Sequence, residues 1–150
     1  MNAAFSSSVA AELHDDETRF VGQLRTVTAI QHVVIPLTSD PLVKRMSTLR
    51  RRDDTCPDTF KSEWFVHSFL VRRLQEVKGY TQNLVIDRIA RGDVISCDKL
   101  AADGIVEMWF DDLSSLTAGF KSNAGKTLMS HATEFISEIS NFLVDVEPVV

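Results

Sequence analysis

The residues of this chain best suited to chemistry fall within Phe60–Asn83, FKSEWFVHSFLVRRLQEVKGYTQN. His67 carries an imidazole whose ordinary pKa, near 6.5, lets it give or take a proton at neutral pH. Trp64 stands three residues before it, so the two share one helix face. Tyr80, Gln82 and Asn83 follow Gly79, where the helix is expected to turn into a strand. A phenol can donate a hydrogen bond to a substrate carbonyl and steady an enolate. Alternation puts Tyr80 and Gln82 on one strand face and Asn83 on the other, so Gln82 is the amide expected beside Tyr80. The opposite wall is DGIVEMWF at Asp103–Phe110. Glu107 lies inside this apolar strand, and burial would raise its pKa and suit it as an acid or a partner for His67. The expected catalytic set is therefore His67, Tyr80 and Glu107, with Trp64, Gln82, Asn83 and Trp109 as ligand-binding residues.

Each of these residues also has a structural reading. His67 would be a core histidine bonded to a backbone carbonyl. Tyr80 would be an amphipathic residue at a sheet end, and the two tryptophans core side chains. Glu107 would form a salt bridge with Arg45 on the neighbouring strand. His14, His32 and His131 have no obvious company in the sequence and are expected at the surface or an interface.

The elements that must position these groups follow from hydrophobic periodicity. Phe60, Trp64, His67, Val71 and Leu74 recur at intervals of four and three, which predicts a helix from Pro57 to Gln75 with one continuous stripe. Pro57 suits the first helical position, and Asp58 suits the positive end of the helix; Cys56 is a poor cap. Strands are expected at Leu42–Leu49, Tyr80–Asp87, Gly104–Phe110 and Asn141–Val149. On Gly104–Phe110, Val106, Met108 and Phe110 form one face and are read as an exposed patch that needs a partner sheet. Asp111 and Asp112 open a second helix, interrupted at Gly125. Residues 88–102 form a long loop that is expected to cover a site. The order strand, helix, strand, strand, helix, strand is the α+β, ferredoxin-like βαββαβ plan.

Residues 3–20 repeat in residues 118–135. Six of the 18 positions are identical without a gap, among them Phe5/Phe120, Leu13/Leu128 and Phe20/Phe135. Composition alone would give roughly one match. The expected organisation is a helix–strand fragment of a first module at 1–36, a linker at 37–41 around Ser39, Asp40 and Pro41, and a complete module at 42–150. Val27–Ile35, VTAIQHVVI, is the strand of the fragment.

Bulk composition narrows the function classes. The chain has 150 residues, 44% hydrophobic and 25% charged, as for an ordinary soluble domain. A net charge of −5 argues against a nucleic-acid partner, because phosphate neutralisation wants a basic surface. No apolar run approaches the roughly 18 residues of a membrane helix, and the N-terminus lacks the basic start of a secretory signal. Cys56 and Cys97 form no CxxC pair, which fits reduced thiols in a cytoplasmic protein. The histidines form no metal-binding spacing. No cofactor is expected.

Three motifs in order resemble the EthD family of small α+β proteins: F-x-x-x-W-x-x-H-x-x-L at Phe60–Leu70, G-Y-x-Q-N at Gly79–Asn83, and D-G-I-x-E-x-W-F-D at Asp103–Asp111. The opening VKRMSTLRRR is also similar to the first strand of the family. One departure is Phe69, where the family often has proline. The resemblance spans about Leu42 to Val150. It implies a dimeric α+β barrel, in which two ferredoxin-like sheets pack face to face. It also implies tandem relatives, of which this chain would carry a shortened first module. Pairing between two copies, with Val27–Ile35 added to a sheet edge, would then supply the missing part. Family members are associated with degradation of organic compounds beside oxidative systems, and related barrels include cofactor-free isomerases, cyclases, lyases and small monooxygenases. The expected function is binding of a small apolar carbonyl or aromatic ligand, with cofactor-free isomerase, cyclase or lyase chemistry at His67 and Tyr80. The alternatives are a non-catalytic accessory or binding protein whose dimer is its function, and a haem-using monooxygenase.

Overall fold

The computed structural model describes residues 7–17, 19–21, 26–38, 43–89 and 101–146. Much of the 37–41 linker and most of the 88–102 loop lie outside them. The chain divides into two compact units, Met1–Thr26 with Arg88–Leu100, and Val27–Asp87 with Ala101–Val150. In the first, helix α1 (Ser8–Glu17) is followed by a turn in which Val21 donates its amide to Glu17 at 2.8 Å.

The second unit holds the sheet and the helices packed on it. Its elements are β1 (Thr26–Ile35), β2 (Val43–Arg51), α2 (Pro57–Val71), β3 (Val77–Ile89), β4 (Gly104–Phe110), α3 (Leu113–Lys121), α4 (Asn123–Phe135) and β5 (Ile136–Val144). The strands form one sheet in the order β1-β3-β4-β2-β5. From β3 to β5 all neighbours are antiparallel, and the module's own four strands take the ferredoxin-like order. β1 is hydrogen-bonded beside β3 and forms one edge of the sheet of its own chain.

Helix α2 forms for the reasons its sequence suggests. Pro57 occupies the first turn, Asp58 follows, and the Cys56 sulfur accepts the Thr59 amide at 3.5 Å, a weak cap of the expected kind. Its stripe is buried at Phe60, Trp64, His67 and Val71. The helix ends at Val71, short of Gln75. The chain then tightens into a turn in which Leu74 donates its amide to Val71 at 2.9 Å, and this swings Leu74 into the core.

Gly79 was expected in the turn but lies inside β3, beside a register shift between Val77 and Gly79. A β-carbon there would come within 3.0 Å of the Trp109 ring, so glycine lets the indole lie flat on the strand. The break in the second helix falls at Ser122, not Gly125. Ser122 accepts the Gly125 amide at 3.0 Å and caps α4. Gly125 allows α3 and α4 to approach: a β-carbon would stand 2.2 Å from the Gly119 carbonyl oxygen. The last strand begins five residues early, at Ile136, because it follows α4 without a loop.

One prediction about the sheet faces is reversed. Val106, Met108 and Phe110 are buried beneath the helices and do not form an exposed patch; Ile105, Glu107 and Trp109 take the other face. Among the described residues, no helix is long and apolar enough to cross a membrane.

Candidate functional site

A half-open cavity of about 50 Å³ lies between the sheet and the helices. Its floor is apolar and buried: Leu49, Trp64, Val71, Val106, Met108, Leu128, Ala132 and Ile136 all line it. Arg45, Phe120, Met129 and Ile139 are only partly buried and form its outer rim. His67, Tyr80 and Ser47 contribute neutral polar side chains, and Arg45 a charged one.

His67 is 7% exposed and faces α4. Its Nδ1 lies 3.1 Å from Nδ1 of His131, with the two rings stacked 5.3 Å apart and the Phe135 ring edge-on to both. On the far side of His131, Nε2 lies 3.8 Å from a Glu63 carboxylate oxygen. Either ring can donate in this Nδ1–Nδ1 contact, according to tautomer. A proton on Nε2 of His131, toward the carboxylate, makes His67 the donor through Nδ1–H. The lone pair of His67 then sits on Nε2, the nitrogen that His131 does not engage. Burial, and secondarily the charge on His131, lowers the pKa of His67 from 6.5 to about 4. At neutral pH the ring is therefore uncharged, with a free lone pair, and is a weaker base than an exposed imidazole.

Tyr80 is 1% exposed. Its hydroxyl oxygen accepts from Gln82 Nε2 at 3.1 Å, with a second hydrogen bond from the Trp64 side chain. Burial nevertheless pushes the phenol well above its ordinary value, so it stays protonated. Gln82 is fully buried: Nε2 also donates to the Trp64 carbonyl at 2.7 Å, and Oε1 lies 3.1 Å from His32 Nδ1. It is beside Tyr80 as alternation predicted, but it fixes the cavity wall and does not line the cavity.

The sheet register explains which residues do not join the site. Residues directly opposite in neighbouring strands share a face. Arg45 and Tyr80 both pair with Met108, which puts all three on the cavity face. Glu107 pairs with Met46 and Thr81 on the opposite face, so it cannot meet His67. There its carboxylate lies 2.6 Å from Lys44 and accepts from Asn83 at 2.9 Å. The expected His67–Tyr80–Glu107 set is thus split by the sheet, and the salt-bridge partner of Glu107 is Lys44, not Arg45. Asn83 and Trp109 are on the far face too. Asn83 also accepts from Gln31 at 3.3 Å, and Lys44 lies 5.1 Å above the Trp109 ring. Of the expected ligand-binding residues, Trp64 alone lines the cavity.

Three residues were missed. His131 pairs with His67, and His32 pairs with Gln82 and packs edge-on against Phe65 at 5.1 Å. The available signal for His131 was its place beside the Leu128, Ala132, Phe135 stripe of α4, which is the buried face of that helix. The third is Arg45, expected only as the salt-bridge partner in the structural reading of Glu107. Its guanidinium stacks 4.3 Å over Phe120, and Nε and Nη2 both donate to Asn141 Oδ1. Ser47 donates to the same oxygen at 2.8 Å. Burial pushes Arg45 below its ordinary value, though it remains a cation.

Comparisons with known proteins agree with this architecture. The EthD domain family matches residues 52–139, more than half of the chain. No curated protein matches it. Among solved structures, an ethyl tert-butyl ether d (ethd) family protein from Bacillus halodurans superposes with a TM-score of 0.55 at 18% identity, over 70% of this chain and 98% of that one. A dimeric ferredoxin-like protein of unknown function from Thermobifida fusca gives 0.56 at 14%, over 75% and 98%. SnoaB, a cofactor-independent oxygenase from Streptomyces nogalater, gives 0.50 at 8%, over 72% and 95%. At these identities the likeness concerns the fold.

Proposed function

The chain belongs to the EthD family, and from that premise we propose that it binds a small apolar carbonyl or aromatic compound in the cavity and moves a proton on it without a cofactor. The observation that carries this is the neutral imidazole of His67 at an apolar cavity, with Nδ1 tied to His131 and Nε2 left as the base. His67 Nε2 takes a proton from a carbon beside the ligand's carbonyl. The electron pair left behind passes to the carbonyl oxygen as an enolate. The Nδ1 proton of His67 moves toward His131, whose Nε2 faces Glu63, so charge does not accumulate on the most buried ring. Tyr80, kept protonated and already accepting from Gln82, retains its own proton to donate to the enolate oxygen. Enolate formation is a first step open to isomerase, cyclase and lyase reactions of carbonyl compounds.

The proposal includes a homodimer, supported by a ferredoxin-like structural neighbour described as dimeric, with pairing placed on the sheet face opposite the helices, and a cytoplasmic setting that suits the free, exposed Cys56. It also keeps the reading of residues 1–36 as part of a first module.

Exchange of α-protons for deuterium in a small 1,3-diketone, followed by NMR, tests the chemistry. Wild-type protein should speed exchange and His67→Ala should abolish the enhancement. Equal rates for both proteins would refute a proton-transfer role. A second reading, a non-catalytic binding or accessory protein, is favoured by the small size of the cavity, about 50 Å³. It predicts ligand binding without exchange.

A further inference from the structure

Arg45 is the charged side chain of the cavity. Among the described lining residues there is no aspartate or glutamate, and the remaining lining groups are apolar or neutral at pH 7. Nor does Arg45 have a carboxylate partner among the described residues; its hydrogen bonds go to the neutral oxygen of Asn141. A guanidinium has five N–H donors. Two are directed at Asn141, which leaves three without a protein acceptor among the described residues. The side chain is nevertheless held in place, by the Phe120 ring under its Cζ and by Asn141 at one edge. A half-buried cation of fixed orientation and unused donors is a poor way to stabilise a fold, because its desolvation is not offset by a counter-charge. It is a good way to receive an oxyanion, which a guanidinium binds through paired, charge-assisted hydrogen bonds.

We infer that the ligand of this cavity is a small apolar acid, with a carboxylate or equivalent oxyanion on the guanidinium of Arg45 at the rim and an apolar body on the buried floor beside Trp64 and His67. This rests on the reading of the cavity as a ligand site and narrows it. Arg45 and Tyr80 stand on either side of Met108 in one register row, separated by two strand spacings, or about 10 Å. The anionic head and the reacting carbon therefore belong to different ends of the ligand. Of the compounds that place an acid and a reactive carbonyl a few bonds apart, keto acids have the required chemistry.

Benzoate and benzamide are nearly isosteric and differ at pH 7 by one charge. Binding of each is followed by protein-detected NMR at matched ionic strength, for wild type, Arg45→Met and Arg45→Lys. Wild type should bind benzoate about tenfold or more tightly than benzamide, a preference typical of one charge-assisted pair. Arg45→Met should lose the preference yet still bind benzamide, which also shows the cavity to be intact. Arg45→Lys should keep part of it. Equal binding of the two probes by wild type would overturn the acid preference and leave the cavity reading standing. Retained preference in Arg45→Met would also overturn it, by placing the anion elsewhere. Binding of neither probe would remove the cavity reading and this inference with it.

Discussion

His67 owes its neutrality to its surroundings, and that has a consequence for stability. In the folded chain it takes up a proton near pH 4, against 6.5 for a free imidazole. Between those values the unfolded chain binds the extra proton. Stability is therefore unaffected by this group above about pH 6.5, falls as the pH drops toward 4, and levels off below that. The full loss corresponds to about 3 kcal/mol. Denaturant unfolding of wild type and His67→Gln at pH 7 and pH 4.5 should show an acid loss smaller by about 2 kcal/mol in the variant. Equal losses would place the acid sensitivity elsewhere. His67 itself was legible in the sequence, because its spacing from Trp64 and Val71 fixes the helix face it occupies. Its partner was not: His131 is 64 residues away, and only the packing of α4 on α2 brings the rings together. The role of Arg45 was hidden because alternation along β2 was imperfect, so the sequence could not say which face the side chain takes.

At the scale of elements, periodicity revealed the helix stripe, the order of elements along the chain and the full extent of β4, since these depend on local pattern. It failed on which side of β4 meets the helices. That strand carries apolar residues on both faces, with Ile105 and Trp109 against Val106, Met108 and Phe110, and pattern alone cannot rank two apolar faces. Register decides the matter, and register is a long-range property. Gly104 marks the contact of β4 with α2. A β-carbon there would lie 2.5 Å from the buried Trp64 ring, which walls the cavity. Gly104→Ala should destabilise the protein by about 1–3 kcal/mol, the usual cost of overpacking. Gly119, in α3, is different: its nearest neighbour would be the end of Glu76 at 3.4 Å, an ordinary contact. Gly119→Ala should be neutral or stabilising by up to about 1 kcal/mol, as alanine favours helices. Denaturant midpoints check both, and the opposite order would contradict this packing.

For the whole molecule, the sheet face opposite the helices carries a connected polar ladder from Lys44 through Glu107 and Asn83 to Gln31, beside Trp109 and the exposed Phe142. Sheet pairing across it would bury these aromatic groups and shield the Lys44–Glu107 pair from salt. Sedimentation should then show a dimer, and Trp109→Glu should convert it to monomer; a monomeric wild type would refute the proposed pairing. This face and the cavity lie on opposite sides of one sheet, and each holds one of the two tryptophans. The two indole N–H signals therefore report separately on them. The most direct measurement is a titration of a small aromatic acid, benzoate, followed by those two signals. A saturable shift of the Trp64 signal with the Trp109 signal unmoved is the expected result. A shift confined to Trp109, or none at Trp64 up to saturating ligand, would contradict a ligand site between the sheet and the helices.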